Sequence, residues 1–248
     1  MSLSKWYQRW WGVVLISLAA FVVIIALVVG GFTGWYWWQI RHGNGAWLSN
    51  KFVDNFTSSL SRNTVKAGAI DRVALELPTA PALGRPGAPI TIVEFVDFKC
   101  PNCRAAAPIM EALLAKHGYT VRLIIRHIPV ESTHPGATRL AELAVCAARQ
   151  DKFWPVHDLL YASQDTVSDT LTPQEISDFA KQANLNEIKI ESCLNSPEAK
   201  RVVKADYFDA LRFGVRGTPT FFVNGEKVEG VVPMNVWEEY LKNILPEK

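Results

Sequence analysis

This sequence has little net charge and few cysteines. The 248 residues contain 26 Lys and Arg against 24 Asp and Glu, a formal net charge of +2. This balance gives no reason to expect nucleic acid or a strongly acidic partner, and we predict neither. Only four cysteines occur, and two of them enclose Pro-Asn in EFVDFKCPNCR at residues 94–104. Such a pair binds a metal, carries out redox chemistry or forms a structural staple.

Charged residues are absent between Arg9 and Arg41. Within this interval residues 11–32 are almost wholly apolar, and at about 1.5 Å per residue they span a hydrocarbon core of roughly 30 Å. Aromatic residues of the kind that prefer lipid headgroups flank the run on both sides, namely Trp6, Tyr7, Trp10, Trp11, Trp35, Tyr36, Trp37 and Trp38. A secretory signal peptide would have a shorter apolar region and a small-x-small cleavage site, and a buried core helix would not need aromatic flanks. The sequence therefore predicts a retained transmembrane helix at 11–38, after an N-terminal tail at 1–10.

The basic residues do not decide the orientation of this helix. Lys5 and Arg9 precede it, and Arg41 and Lys51 follow it, so the positive-inside count is nearly tied. The side of the membrane on which the rest of the chain lies must be argued from the cysteine chemistry.

Residues 39–80 are predicted to be a juxtamembrane segment and linker. Apolar residues recur there at close to helical spacing between positions 48 and 60, which fits either a short amphipathic helix near the membrane or a partly ordered spacer. Four prolines and two glycines then occur at 77–89. Because this composition interrupts regular structure, we expect the folded domain to occupy 81–248.

The order of elements in this domain predicts an α/β fold. The β-branched and aromatic run at 90–98 is typical of a buried strand, and an alanine-rich helix from Cys100 and a second strand at 119–130 follow it. Several helical pieces occupy about 134–212. An Asn-Gly hairpin signal at 224–225 and a final helix complete the chain. A βαβ half and a ββα half with a helical insertion between them make a thioredoxin fold.

Cys100 and Cys103 stand where a helix begins. Backbone N–H groups and the helix dipole favour the thiolate of Cys100, and the thiolate is the reactive form. Cys103 lies one turn further on, within reach of a mixed disulfide on Cys100, while Pro101 and Asn102 shape the turn. A zinc site would need two more ligands at suitable spacing, which we do not find. We therefore favour redox chemistry and expect no metal and no cofactor.

Two further positions are candidates for the same site. Glu94 interrupts an apolar strand, so burial would raise its pKa and make it a proton donor or acceptor for Cys103. Alternatively, its side chain reaches solvent at the end of the sheet. Thr218 and Pro219 open a strand, where a cis proline would present backbone groups beside Cys100 for an extended substrate. The alternative is an ordinary turn proline.

These motifs closely resemble the DsbA-like thiol–disulfide oxidoreductases of bacterial envelopes, in particular the membrane-anchored ones. The resemblance is carried by GAPITIVEFVDFKCPNCR at 87–104, by the helical insertion and by GVRGTPTFFVNG at 214–225, and it covers about residues 81–246. It implies a thioredoxin fold with four functional residues: the nucleophile Cys100, the resolving thiol Cys103, the cis-proline Pro219 and the buried acid Glu94. The central Pro-Asn departs from the commonest Pro-His, which affects the expected strength of oxidation.

Cys146 and Cys193 both fall in the insertion. They form either a structural disulfide in an oxidising compartment or two buried free thiols. Pairs of this kind occur in relatives of the family, so the resemblance favours the disulfide.

The expected function is that of an anchored enzyme that donates a disulfide to reduced client proteins. The resemblance implies a membrane partner of the DsbB or VKOR type that reoxidises the cysteine pair. Because thiol oxidation belongs outside the cytosol, we expect a single-pass protein in the cell membrane with its catalytic domain on the extracytoplasmic side. A reductase or isomerase of the same fold and a non-catalytic, chaperone-like binding module are the alternatives.

Overall fold

The computed structural model describes residues 10–41 and 71–245 of the chain. The chain divides into two compact units, Met1–Arg62 and Asn63–Lys248. Most of the predicted tail and the whole of the predicted amphipathic helix between positions 48 and 60 lie outside the described residues.

The described part of the first unit is a single long helix, α1 (Trp10–Arg41). Its stretch Val13–Trp35 has a mean hydropathy of 3.2, and none of it is buried within the chain. By length and composition this stretch is a candidate membrane span, and the transmembrane helix predicted at 11–38 lies inside α1.

The second unit contains the mixed α/β domain. Its strands are β1 (Ala82–Leu83), β2 (Ile90–Val96), β3 (Val121–His127), β4 (Thr220–Val223) and β5 (Glu226–Glu229). Its helices are α2 (Arg72–Leu75), α3 (Pro101–His117), α4 (Ala137–Ala148), α5 (Phe153–Ala162), α6 (Pro173–Gln182), α7 (Glu187–Asn195), α8 (Pro197–Arg212) and α9 (Met234–Ile244).

The five strands form one sheet in the order β1-β3-β2-β4-β5. The central strand β2 runs parallel to β3 and antiparallel to β4, and β5 closes the hairpin with β4. Helix α3 provides the crossover from β2 to β3, and α4 to α8 lie in sequence between the βαβ and ββα halves. The predicted fold class, a thioredoxin fold with a helical insertion, is confirmed.

Every residue of β2 is buried, as expected for a strand covered on both faces. Val93 and Phe95 belong to a core cluster that includes Phe222 of β4 and Ala210 of α8. Because side chains alternate along a strand, Glu94 points to the opposite face of the sheet. The register places Glu94 between Ile125 of β3 and Phe221 of β4.

A buried ion-pair network fastens α2 to the sheet. Arg126 of β3 is fully buried and donates to Asp206, at 2.5 Å, and to Asp209, at 2.7 Å, both on α8. The same guanidinium donates to the backbone carbonyls of Ala74 and Leu75 at 3.0 and 3.2 Å. One side chain thus donates hydrogen bonds to the carbonyl groups at the end of α2 and connects this helix to both β3 and α8.

A residue that precedes the boundary predicted at residue 81 also contributes to the hydrophobic core. Leu75 is completely buried and belongs to the cluster around Val93 and Phe95. The helix α2 that carries Leu75 is only one turn long and is held by tertiary contacts with Arg126. Such contacts leave no periodic pattern in the sequence.

We predict that Leu75→Ala destabilises a soluble fragment of residues 71–248 by about 2–5 kcal/mol, because it opens a cavity in the core. Val73→Ala, on the same short helix but 79% exposed, is the matched control and should change the free energy of unfolding by less than about 0.5 kcal/mol. Urea unfolding of the fragments gives both values. Equal and small effects of the two substitutions would show that α2 is not part of the core.

Candidate active site

Cys100 occupies the N-cap position of α3, where the chain leaves the end of β2. Its backbone is extended there, with φ −78° and ψ 120°, and Pro101 begins the helix. The backbone N–H of Cys100 donates to the carbonyl of Asp97 at 3.1 Å, which fixes the turn. The sulfur therefore lies beside the unpaired N–H groups of the first helical turn and the positive end of the helix dipole.

The two thiols of the pair differ strongly in their surroundings. Cys100 keeps 6% of its surface exposed, whereas Cys103 is wholly buried behind it. The hydrogen bond from the Cys103 thiol, helped by Thr218 and by the backbone N–H groups of Cys103 and Asn102, lowers the pKa of Cys100 to about 5 against the opposing effect of burial. Burial first, and then the neighbouring Cys100 sulfur, raises the pKa of Cys103 well above its ordinary value. At neutral pH Cys100 is a thiolate and Cys103 is a thiol.

Glu94 has the burial that the sequence predicts for a proton donor or acceptor of Cys103. Only 3% of it is exposed, and this burial raises its pKa to about 8. Its charge is among the influences that raise the pKa of Cys103, so the two groups interact electrostatically. A carboxyl that is largely protonated at neutral pH can give a proton to a sulfur or take one from it.

The residues just before β4 lie beside the cysteine pair. The Thr218–Pro219 peptide bond is cis. The thiol form of Cys100 donates a hydrogen bond to the backbone carbonyl of Thr218 at 3.3 Å. The fold thus brings together Cys100, Cys103, Glu94 and Thr218 from three separate stretches of the sequence.

Cys146 of α4 and Cys193 of α7 form a disulfide inside the helical insertion. Their Cα atoms are 5.8 Å apart, within the usual range for such a bond. In contrast, Cys100 and Cys103 are both present as free thiols, so the structure represents the dithiol form of the pair.

The carboxylate of Asp97 shapes the loop that carries Cys100. It is buried and accepts hydrogen bonds from the backbone N–H groups of Lys99 and Val130, each at 2.8 Å. The Nδ1 atom of His134 lies 2.8 Å from the same carboxylate. The loop is therefore anchored both to the end of β3 and to the beginning of the insertion.

Two residues of the insertion reach the site without any signal in the sequence. The side-chain amide of Gln164 donates to the carbonyls of Phe98 and Cys100 at 2.8 and 3.0 Å. Tyr161 is buried with its ring centroid 5.2 Å from that of Phe98. Burial, and then the charge of Cys103, raises the pKa of Tyr161 well above its ordinary range. Both residues are about 60 positions from the cysteine pair, so only the tertiary fold reveals them.

Metal-binding geometry is not found at this site. No group of three or more His, Cys, Asp and Glu side chains within residues 10–41 and 71–245 is arranged to hold an ion.

A model of the thioredoxin family, described as "Thioredoxin", matches residues 76–243, which is more than half of the chain. The chain belongs to the thioredoxin family. The match covers the second unit from the end of α2 almost to the end of α9 and so includes the whole site described above.

Solved structures show the same fold. A thioredoxin-like oxidoreductase from Silicibacter pomeroyi DSS-3 aligns with a TM-score of 0.61 and 27% identity, over 70% of this chain and 97% of that one. The thiol-disulfide exchange protein alpha-DsbA2 from Wolbachia pipientis aligns with a TM-score of 0.62 over 79% of this chain and 98% of that one. At 16% identity the second likeness concerns the fold alone.

A curated relative has a different name and a much longer chain. The Na(+)/H(+) antiporter NhaA 3 of Salinispora tropica is 38% identical over 149 residues, which is 60% of this chain but 22% of that protein. This chain therefore spans about a fifth of the length of that relative.

The two shifted pKa values predict opposing effects of pH on the stability of the dithiol form. Because the pKa of Cys100 falls from 9.0 to about 5 on folding, its contribution to stability grows as the pH rises from 5 to 9. Because the pKa of Glu94 rises from 4.5 to about 8, its contribution is lost as the pH rises from 4.5 to 8. Each group changes the free energy of unfolding by about 1.4 kcal/mol per pH unit, and the two changes have opposite signs. Between pH 5 and 8 they therefore nearly cancel.

Replacing either Cys100 or Glu94 should reveal how the other group makes the free energy of unfolding depend on pH. In reduced Cys100→Ser the free energy of unfolding should fall from pH 5 to pH 8 relative to the wild type, and in Glu94→Gln it should rise. The double variant should return to the wild-type pH dependence, and this comparison removes the contributions of all other titrating groups. Parallel pH profiles for all four proteins would mean that neither pKa is shifted.

Proposed function

We propose that this protein is a membrane-anchored thiol–disulfide oxidoreductase that donates the disulfide of its Cys100–Cys103 pair to extracytoplasmic proteins. The observation that carries the proposal is the contrast between the two sulfurs: Cys100 is a thiolate at a helix N-terminus that keeps 6% of its surface exposed, and Cys103 is a wholly buried thiol. A pair in which the reduced form is stabilised in this way is a strong oxidant, because reduction of its disulfide is favourable.

The reaction begins with the Cys100–Cys103 disulfide. A client thiolate attacks the sulfur of Cys100, a new client–Cys100 bond forms, and the bond to Cys103 breaks with its electron pair on Cys103. A second client thiolate then attacks the client's own sulfur and releases Cys100 as a thiolate. The client loses two electrons and gains one disulfide, while the pair gains two electrons. The low pKa of Cys100 makes it a good leaving group in the second step.

Glu94 handles the proton of the buried sulfur in this proposal. When Cys103 leaves as a thiolate in an apolar environment, it requires a proton, and the protonated Glu94 carboxyl is a suitable donor. In the reverse direction the carboxylate accepts the proton again, so that Cys103 can attack a mixed disulfide. A pKa of about 8 allows both roles near neutral pH.

The client is proposed to bind along the chain that precedes β4. The backbone around Thr218 and Pro219 lies beside Cys100, and an extended client segment can pair there as an added strand. Pro101 and Asn102 form the exposed rim of the site on the other side of the sulfur. Recognition through backbone groups would suit an enzyme with many different clients.

Location follows from the disulfide and from α1. The Cys146–Cys193 disulfide favours an oxidising compartment, and the candidate span Val13–Trp35 supports retention at the membrane. We therefore place the catalytic domain on the extracytoplasmic side. A quinone-linked membrane protein of the DsbB or VKOR type is the proposed partner that restores the Cys100–Cys103 disulfide after each cycle.

The proposal predicts that spheroplasts carrying the full chain oxidise a reduced client protein that is too large to cross the membrane. At least one client disulfide should form per Cys100–Cys103 pair, measured by alkylation of the remaining client thiols. Cys100→Ala and Cys103→Ala should both abolish the reaction, since neither variant has a disulfide to donate.

The outcome separates the alternatives. Oxidation that occurs only after the membranes are broken would contradict the proposed sidedness. Wild-type protein that instead reduces an oxidised client would identify a reductase or isomerase. A cellular role that survives in Cys100→Ala would identify a binding module.

A further inference from the structure

Exposed apolar side chains concentrate on one helix of the insertion. In the described residues 71–245, eight large apolar side chains are exposed, and four of them lie on α8. They are Val202, Tyr207, Phe208 and Leu211, with exposures from 37 to 57%. Val202 lies on a different side of the helix, whereas Tyr207, Phe208 and Leu211 are neighbours on its surface. Single exposed apolar residues are normal on protein surfaces, but adjacent ones form a patch of the kind that marks a contact surface.

Basic side chains accompany these apolar groups. Lys200, Arg201 and Lys204 are exposed on α8, and none of them forms an ion pair with any residue of the described chain. The acidic residues of the same helix are already engaged with arginines: Glu198 with Arg149, Asp206 with Arg126, and Asp209 with Arg126 and Arg212. Arg149 and, more weakly, Arg201 lower the pKa of Glu198, so the unpaired positive charge on the exposed surface of α8 belongs mainly to Lys200 and Lys204.

The two kinds of side chain share one side of the helix. Residues 204, 208 and 211 recur at spacings of four and three, which places them in a row along the helix surface. The Nζ atom of Lys204 lies 5.7 Å from the centroid of the Phe208 ring. The buried side is formed by Ala199, Val203, Asp206 and Ala210. We call the set Lys200, Arg201, Lys204, Tyr207, Phe208 and Leu211 the outer face of α8.

We propose that the outer face of α8 rests on an anionic phospholipid surface. Aromatic and aliphatic side chains that enter the headgroup boundary, together with lysine and arginine that bind anionic headgroups, are the features of helices that lie in a membrane interface. A lysine next to an aromatic ring can extend its charged end to the headgroups while its stem stays on apolar surface.

The charge pattern favours lipid over a second copy of the chain. A two-fold contact of this face with itself would bring unpaired lysine and arginine side chains close to one another. An anionic bilayer instead supplies the missing negative charge. The inference uses the membrane anchoring that is part of the proposed function, but it does not depend on the direction of the redox reaction.

The test uses the soluble fragment of residues 71–248. This fragment contains the complete sheet and core, and the solved relative from Silicibacter pomeroyi consists almost entirely of the matching part, so the domain folds without α1. Co-sedimentation should show that the fragment binds vesicles containing phosphatidylglycerol and binds pure phosphatidylcholine vesicles far more weakly. Raising the salt concentration should weaken the binding.

Substitutions on the outer face should lower the partition coefficient on phosphatidylglycerol vesicles. Phe208→Ser combined with Leu211→Ser should lower it at least about tenfold, and Lys204→Gln about fivefold. Tyr119→Ser is the matched control, since Tyr119 is 83% exposed between α3 and β3, and it should bind like the wild type. Circular dichroism and oxidation of a reduced client show that each variant is folded.

Three results would overturn the proposal. They are equal binding to both kinds of vesicle, equal loss of binding in Tyr119→Ser, and a fragment that forms dimers which Phe208→Ser dissociates. A fragment that oxidises its client but ignores vesicles would refute the membrane contact and leave the proposed enzymatic function intact. A fragment that binds vesicles but exchanges no disulfides would refute the proposed enzymatic function and leave the membrane contact intact.

Discussion

The chemistry of the cysteine pair depends on the stabilisation of one negative charge, the thiolate of Cys100. Three structural features serve it: the free N–H groups at the start of α3, the hydrogen bond from the Cys103 thiol and the hydrogen bond from the Thr218 side chain. The first requires that the chain pass from β2 into α3 through the short loop at 97–100, which ends at Cys100. The second requires that Cys103 lie one turn further on and be buried. Most of the domain can be understood as the support for this short junction.

The support comes from both halves of the fold and from the insertion. Asp97 ties the junction to the end of β3, and Gln164 ties it to the segment after α5. On the other face of the sheet, Arg126 connects α2, β3 and α8 through a single guanidinium. A buried charge of this kind is costly unless it is fully paired. Here the guanidinium donates to two carboxylates and two backbone carbonyls. The insertion is therefore part of the site's framework, while its outer surface remains free for other contacts.

The sequence predicted the elements better than the contacts between them. The strand before Cys100, the Asn-Gly hairpin and the apolar N-terminal helix all have local signals, and all of these elements occur in the structure. The burial of Leu75 and the contacts of Gln164 and Tyr161 depend on residues far apart in the chain. A single sequence carries no signal for such contacts. Glu94 lies between these cases, since its apolar neighbours indicated burial but not its position relative to Cys103.

The most direct test of the account is a titration of the Cys100 thiolate in the reduced protein, followed by its ultraviolet absorbance. The account predicts a pKa near 5, a marked increase in Cys103→Ala, and a smaller change in Cys103→Ser, which keeps a hydrogen-bond donor at that position. A pKa close to the ordinary value of 9.0 in the wild type would contradict it, because Cys100 would then be neither a stabilised thiolate nor a good leaving group.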